Sequence, residues 1–294
     1  MRFATLFALL LSLPLFGQTP GEKKQTLEFL ASLQRPDGGF IAAPIDPKSS
    51  KPAPVSSLRA TSAAVRAIKY FGGRVPSKDE ALAFVKSCYL SESGAFSDTP
   101  GGTPDVSVTA IGMMASAELQ KDPRLDKSVA FLVKNAKTFE ERRLAVAGME
   151  AAKMFDPIIK EWFAEITKSA NKDGTFGKDD GRARDSGGTA AMLLRAGEKL
   201  YDEQRKSIVA VLKSSQRTDG GFGKAGEKTS DGETTYRVMR AFYLLKEKPG
   251  DVEKLRDFIG KCRNADGGYG VAPGQPSSVS GTYYAAVILH WLKS

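Results

Sequence analysis

The sequence predicts an all-α fold, an α/α toroid (α6-α6 barrel) of six helical hairpins, and three observations carry that reading. One turn recurs along the chain, as Pro36-Asp37-Gly38-Gly39-Phe40, Ser93-Gly94-Ala95-Phe96, Asp173-Gly174-Thr175-Phe176, Asp219-Gly220-Gly221-Phe222 and Asp266-Gly267-Gly268-Tyr269. Phe139, in Lys137-Thr138-Phe139, marks a degenerate sixth copy. The turn aromatics recur roughly every 37 to 56 residues, the length of two helices and their connections. Secondly, the segments on either side of each turn differ. Preceding segments are amphipathic, as in Val252, Leu255, Phe258 and Ile259 between charged residues, and predict outer helices. Following segments are small and apolar, as in Ala110-Ile111-Gly112-Met113-Met114, and predict inner helices. Thirdly, Thr109, Thr189, Thr235 and Thr282 follow the turn aromatic at one fixed spacing. Asp105, Asp185, Asp231 and Ser278 stand four residues before them, where such side chains cap helix N-termini.

Element starts follow from capping chemistry. Ser77 with Glu80 and Thr138 with Glu141 predict capping boxes, while Asp122-Pro123 and Asp156-Pro157 predict a cap followed by a first-turn proline. Ser57 and Thr61 keep the four-residue separation in the first repeat, so six inner helices are expected to bring their N-termini, with their partial positive charge, to one mouth of a central cavity.

The whole chain has 294 residues and a formal net charge of +9, spread without a long basic run. That distribution suits anionic ligands rather than a nucleic-acid arm, and no nucleic-acid partner is expected. Arg2, the apolar run Phe3 to Phe16 and Gly17 read as a signal peptide over residues 1–17, too short to span a bilayer, followed by a single domain over 18–294. A secreted or periplasmic protein without a stable membrane span is therefore expected. Cys88 and Cys262 occupy matching places in repeats that are not neighbours, which predicts two buried free thiols.

The Asp-Gly-Gly-aromatic turn followed by a Thr/Tyr helix resembles protein prenyltransferase β subunits (farnesyl- and geranylgeranyltransferase) and, more distantly, the terpenoid cyclase-like squalene–hopene cyclases. The resemblance covers essentially all of residues 18–294. It implies an isoprenoid diphosphate in an aromatic-lined cavity, and a catalytic zinc held by Asp, Cys and His near the inner-helix N-termini. Gly226-Glu227-Lys228-Thr229-Ser230-Asp231 resembles the segment that carries the diphosphate-contacting Lys and the zinc Asp, which places those roles on Lys228 and Asp231. The zinc Cys falls on Glu233; in the alternative register the zinc Asp falls on Glu233 and the Cys on Thr235, and the zinc His falls on Gly281. The sole histidine, His290, stands nine residues further on. The chain thus departs from the ligand pattern, and the expected cofactor is none, or zinc if the family mechanism survives.

Repeat 5 differs from its siblings in carrying Glu233, Arg237 and Arg240 on one helical face. Asp231 and Glu233 are the candidate catalytic residues, with Asp231-Gly232-Glu233 weakly resembling an acidic cyclase segment. Lys228, Lys224, Arg182, Arg184, Tyr236, Arg237 and Arg240 are the candidate ligand-binding residues, with Lys178 another loop base near the mouth. Three functions stay open. One is a toroid that binds an apolar, isoprenoid-type small molecule with an anionic head, its zinc mechanism lost. Another is a prenyltransferase β-type subunit, with terpenoid cyclisation a lesser enzymatic option, and the third is an extracellular scaffold for a protein partner.

Overall fold

The computed structural model describes residues 18–46, 48, 52–121 and 123–293; the predicted signal segment, 1–17, lies outside them. Twelve α-helices are present among the described residues. The outer six are α1 (Pro20–Ser32), α3 (Lys78–Ser87), α5 (Asp126–Asn135), α7 (Ile158–Thr167), α9 (Asp202–Ser214) and α11 (Val252–Lys261). The inner six are α2 (Leu58–Tyr70), α4 (Val106–Leu119), α6 (Phe139–Ala152), α8 (Arg182–Arg195), α10 (Gly232–Leu245) and α12 (Val279–Trp291). A two-residue hairpin, β1 (Tyr89–Leu90) with β2 (Ala95–Phe96), is the one sheet among the described residues. The inner helices pack in sequence, α2 on α4, α4 on α6, α6 on α8, α8 on α10, α10 on α12, and α12 back on α2. The predicted toroid is the fold.

The repeated turn is built by its own residues. Asp37, Asp219 and Asp266 each accept the backbone N–H two residues on, at 3.0 Å. They also accept the hydroxyls of Ser56, Ser230 and Ser277 at 2.9, 2.7 and 2.7 Å. The first glycine needs positive φ, +90° at Gly220, and a Cβ there would lie 2.1 Å from the Lys254 carbonyl of the next outer helix. Each turn in fact docks on the outer helix of the following repeat, and the last turn docks on the first outer helix. A Cβ at Gly267 would meet the Gln25 carbonyl at 2.6 Å, and the Thr26 hydroxyl donates to the Gly267 carbonyl at 2.8 Å. That contact closes the ring.

The threonine register is the second device. The buried N–H groups of Phe40, Phe96, Phe222 and Tyr269 donate to the hydroxyls of Thr61, Thr109, Thr235 and Thr282 at 3.0, 3.1, 3.0 and 3.0 Å, so the turn is tied to the inner helix it starts. Ser57, Asp105, Asp231 and Ser278 cap α2, α4, α10 and α12 as predicted. The orphan first N–H groups of α2, α10 and α12 find partners in the loop of the next repeat, with Leu58, Gly232 and Val279 donating to the carbonyls of Asp98, Val271 and Ala42 at 2.7, 2.6 and 2.9 Å. These bonds hold neighbouring inner N-termini together at one mouth.

Several local expectations are corrected. In repeat 4, α8 starts at Arg182 behind a 3₁₀ turn, so Asp185 lies inside its first turn and is no cap. Ser186 takes the role expected of Thr189, its hydroxyl accepting the Phe176 N–H and donating to the Phe176 carbonyl, both at 2.9 Å. A hydroxyl one turn earlier makes the same bonds, so the helix is free to start earlier. Phe139 is the first residue of α6 rather than part of a turn, because only three residues join α5 to α6. Ser77 makes no side-chain cap, its N–H and carbonyl being held by Gln34. Helix α5 begins at Asp126 behind Leu125, beyond Pro123, and Asp122 lies outside the described residues. Helix α7 starts at Ile158 with Pro157 as its N-cap residue, not in its first turn, although Asp156 accepts the Ile158 N–H at 2.9 Å; the Thr138–Glu141 capping box is formed as expected. Cys88 and Cys262 end α3 and α11 as buried free thiols. Among the described residues no helix is long and apolar enough to cross a membrane.

Candidate functional site

The inner helices enclose a central cavity of about 400 Å³. Its lining follows one rule on five of the six helices. Counted from each N-cap, the inward residues fall at positions two, five or six, and nine, the stripe that a 3.6-residue period presents to one side. The outermost level holds Arg59, Ser107, Glu140, Glu233 and Ser280. The middle level holds Ser62, Ala63, Ile111, Arg143, Leu144, Tyr236, Arg237, Tyr283 and Tyr284, and the deepest Arg66, Met114, Ala147 and Arg240, with no ninth-position residue from α12. Helix α8, whose start is displaced, sends in only Arg195.

The face predicted on repeat 5 therefore lines the cavity, and Glu233, Tyr236, Arg237 and Arg240 are brought together there. Arg237 bridges two carboxylates, donating to Glu140 at 2.9 and 3.1 Å and to Glu233 at 2.8 Å. Glu140 also accepts from Arg143 at 2.8 Å. Burial pushes the Glu140 carboxyl up, yet the Arg143 and Arg237 guanidiniums, by charge and hydrogen bond, hold it below its ordinary value. Burial, with the nearby Glu233 charge, pushes the Tyr284 phenol well up.

The aromatics form one cluster. The Tyr236 and Tyr283 hydroxyls lie 2.8 Å apart in a hydrogen bond, and the Tyr236 ring stacks on Trp291 at 5.6 Å. Guanidiniums cover both tyrosines, the Arg240 Cζ lying 4.3 Å from the centre of the Tyr236 ring and the Arg66 Cζ 4.9 Å from that of Tyr283.

The other sequence-predicted residues lie elsewhere. Lys224 and Lys228 are exposed on the loop before α10, outside the cavity wall. Arg182 is committed to its own turn, donating to Asp173 at 2.5 Å and Thr175 at 2.6 Å. Thr175 first, then Arg182, hold the Asp173 carboxyl down to about 2. Arg184 stands at the rim, 4.0 Å from both Glu140 and Asp185. Asp231 spends both carboxylate oxygens on Thr234, accepting its N–H and its hydroxyl at 2.8 Å each. Sequence reasoning missed Arg59, Arg66, Glu140, Arg143 and Arg195. Extending the N-cap register from repeat 5 to the other inner helices finds four of these five; Arg195 is hidden by the displaced start of α8.

The residues where the resemblance puts zinc ligands do not make a ligand set. Asp231 is occupied as a cap, and the Thr235 hydroxyl is held by the Phe222 N–H and carbonyl at 3.0 and 3.2 Å. At Gly281 a Cβ would lie 2.4 Å from the Tyr269 carbonyl oxygen, so no histidine fits this backbone. His290 packs on the Tyr70 ring at 5.0 Å, at the far end of α12. Among the described residues, no group of three or more His, Cys, Asp or Glu is placed to hold a metal ion.

Comparison with known proteins gives the following. Residues 1–152 and 144–294 each match the family model of the prenyltransferase alpha-alpha toroid domain. Over 100 residues, 33% of this chain and 20% of the relative, the chain is 31% identical to the protein farnesyltransferase subunit beta of Pyricularia oryzae, so the match spans a fifth of that relative's length. Candida albicans protein geranylgeranyltransferase-I complexed with GGPP is similar in structure with a TM-score of 0.64 at 16% identity, over 79% of this chain and 83% of that one. A variant of the type II terpene cyclase MstE from Scytonema, in complex with geranylgeranyl dihydroxybenzoate, gives 0.63 at 11% identity over 93% and 96%. At these identities the structural likeness concerns the fold.

Proposed function

The chain belongs to the prenyltransferase alpha-alpha toroid family, and from that premise we propose that it binds one amphiphilic organic molecule of isoprenoid type in its central cavity, without zinc-dependent transfer. The observation that carries the reading is the cavity itself, about 400 Å³, whose middle level sets Ile111, Leu144, Tyr236, Tyr283 and Tyr284 beside two arginines, Arg143 and Arg237. That size falls within the usual range of small-molecule sites, and apolar walls with a few placed polar groups are their usual make-up. Isoprenoid chemistry is supported by the ligands of the structurally similar proteins, GGPP and geranylgeranyl dihydroxybenzoate.

Loss of zinc chemistry is supported by the cap role of Asp231 and by the backbone packed against Gly281. Acid-initiated cyclisation needs a protonated donor, and the Glu140 carboxyl, held below its ordinary value by two guanidiniums, is poorly suited to that role. Export through residues 1–17 belongs to the same proposal and places the binding event outside the cytoplasm; N-terminal sequencing of the protein recovered from each cell fraction tests it.

The function is tested by titrating geranylgeranyl diphosphate and geranylgeraniol into the protein while following tyrosine and tryptophan emission, with zinc content measured on the same samples. Saturable binding of one ligand per chain with zinc far below one per chain is the expected result. One zinc per chain with prenyl transfer to a cysteine peptide would establish the transferase instead. Failure of both isoprenoids to bind would leave the scaffold reading.

A further inference from the structure

The deep end of the cavity gathers arginines, one of which, Arg240, has no carboxylate partner among the described residues. Arg66 and Arg240 stand nine residues beyond their N-caps, roughly 13 Å inside the mouth at 1.5 Å of rise per residue. Arg195 joins them from α8, and Arg143 lies one level above. A further void of about 10 Å³ is also lined by Arg143, Arg195 and Arg240.

Three of the four have partners. Arg143 pairs with Glu140 at 2.8 Å, Arg195 pairs with Glu150 at 3.1 Å, and Arg66 donates to the Met114 sulfur at 3.6 Å. Arg240 is different. It is only 8% exposed, it makes no hydrogen bond or ion pair among the described residues, and its Nε is unpartnered. Its one contact of note is the Tyr236 ring. Burial, and then the charges of Arg195, Arg143 and Arg66, push this guanidinium well below its ordinary value. A guanidinium nevertheless keeps its proton in a protein, so the disfavoured charge persists and favours an incoming anion.

We propose that the Arg240, Arg66 and Arg195 guanidiniums form a deep oxyanion subsite that takes the carboxylate or phosphate of the ligand, which therefore enters head first. This inference rests on the cavity-binding reading above. Geometry also separates it from a head group held at the mouth, since Lys224 and Lys228 lie outside the wall, Arg182 is tied to its turn, and Arg59 at the outermost level is paired with Asp98 at 3.0 Å and Asp105 at 3.2 Å. The Tyr236–Tyr283 pair directly above then contacts the body of the ligand, and an arginine stacked on an aromatic face keeps its planar edge free for a bidentate oxyanion.

The test is calorimetric titration of farnesyl monophosphate, farnesoic acid, farnesol and inorganic phosphate into the wild type, Arg240→Met and Lys228→Met. The wild type is expected to bind both amphiphilic oxyanions at least tenfold more tightly than farnesol. Arg240→Met should bind farnesol as the wild type does but lose that tenfold preference, and Lys228→Met should keep it. Because the substitution removes a buried unpaired charge, the Tm of Arg240→Met without ligand should equal or exceed that of the wild type. If it falls instead, Arg195→Met serves as the second variant, expected to bind farnesol as the wild type does and to lose the tenfold preference. Equal binding of farnesol and the oxyanions, or loss of preference in Lys228→Met with retention in Arg240→Met, overturns the deep subsite while the cavity reading stands. Inorganic phosphate binding as tightly as farnesyl monophosphate overturns the head-group assignment in favour of a free anion. Binding of none of the four overturns the cavity reading and this inference together.

Discussion

Tyr236 and Tyr283 share a 2.8 Å hydrogen bond between hydroxyls that their positions on neighbouring inner helices make possible, since each stands five residues beyond its N-cap. Both residues are buried, so either hydroxyl left alone would be an unsatisfied polar group. Tyr236→Phe and Tyr283→Phe should each cost about 1 kcal/mol of stability in urea unfolding. The double variant should cost less than their sum, because it removes both halves of the bond.

Gly220→Ala tests the docking of turn on outer helix. The substitution meets both a φ of +90° and the Lys254 carbonyl, so it should destabilise by more than about 2 kcal/mol. The same change at Gly226, which has a φ of +75° but open space around it, should cost less. Comparison of their thermal midpoints separates backbone strain from collision.

Acid stability should report the contacts of Glu140 with Arg143 and Arg237. The folded-state value of Glu140 lies below its ordinary 4.5, so its contribution is complete above the unfolded value and is lost as pH falls through the folded one. Wild type and Glu140→Gln should therefore differ by a constant amount in Tm at neutral pH and converge as the pH falls below 4.5 and through the folded-state value. A gap that widens on acidification would contradict the assignment.

Asp231→Ala should lower stability by about 1 kcal/mol through loss of the α10 cap and leave the zinc content unchanged. Atomic emission on matched preparations, with urea unfolding alongside, decides between a cap and a ligand.

Burial pushes both thiols up, Cys88 and Cys262 each to about 12. Ellman's reagent should find no reactive thiol in the folded protein and two per chain in urea.

Much of this protein was determined by sequence alone, because local chemistry repeats. An Asp, a positive-φ glycine and an aromatic fix the turn, a hydroxyl thirteen residues on ties it to the next helix, and a Ser or Asp between them caps that helix. Each bond spans few residues, so the pattern is visible without the third dimension, and so is the Glu233–Arg237–Arg240 face. Tertiary structure alone decided what that face meets. Glu140 reaches Arg237 from 97 positions away, Arg66, Arg143 and Arg195 arrive from three other helices, and the shifted start of α8 hides behind an intact-looking Asp185 and Thr189. The physical reason is that a helix stripe specifies which side chains point inward, whereas charge balance in a cavity is a sum over all the helices that surround it. Only ring closure left Arg240 buried among arginines with no carboxylate beside it.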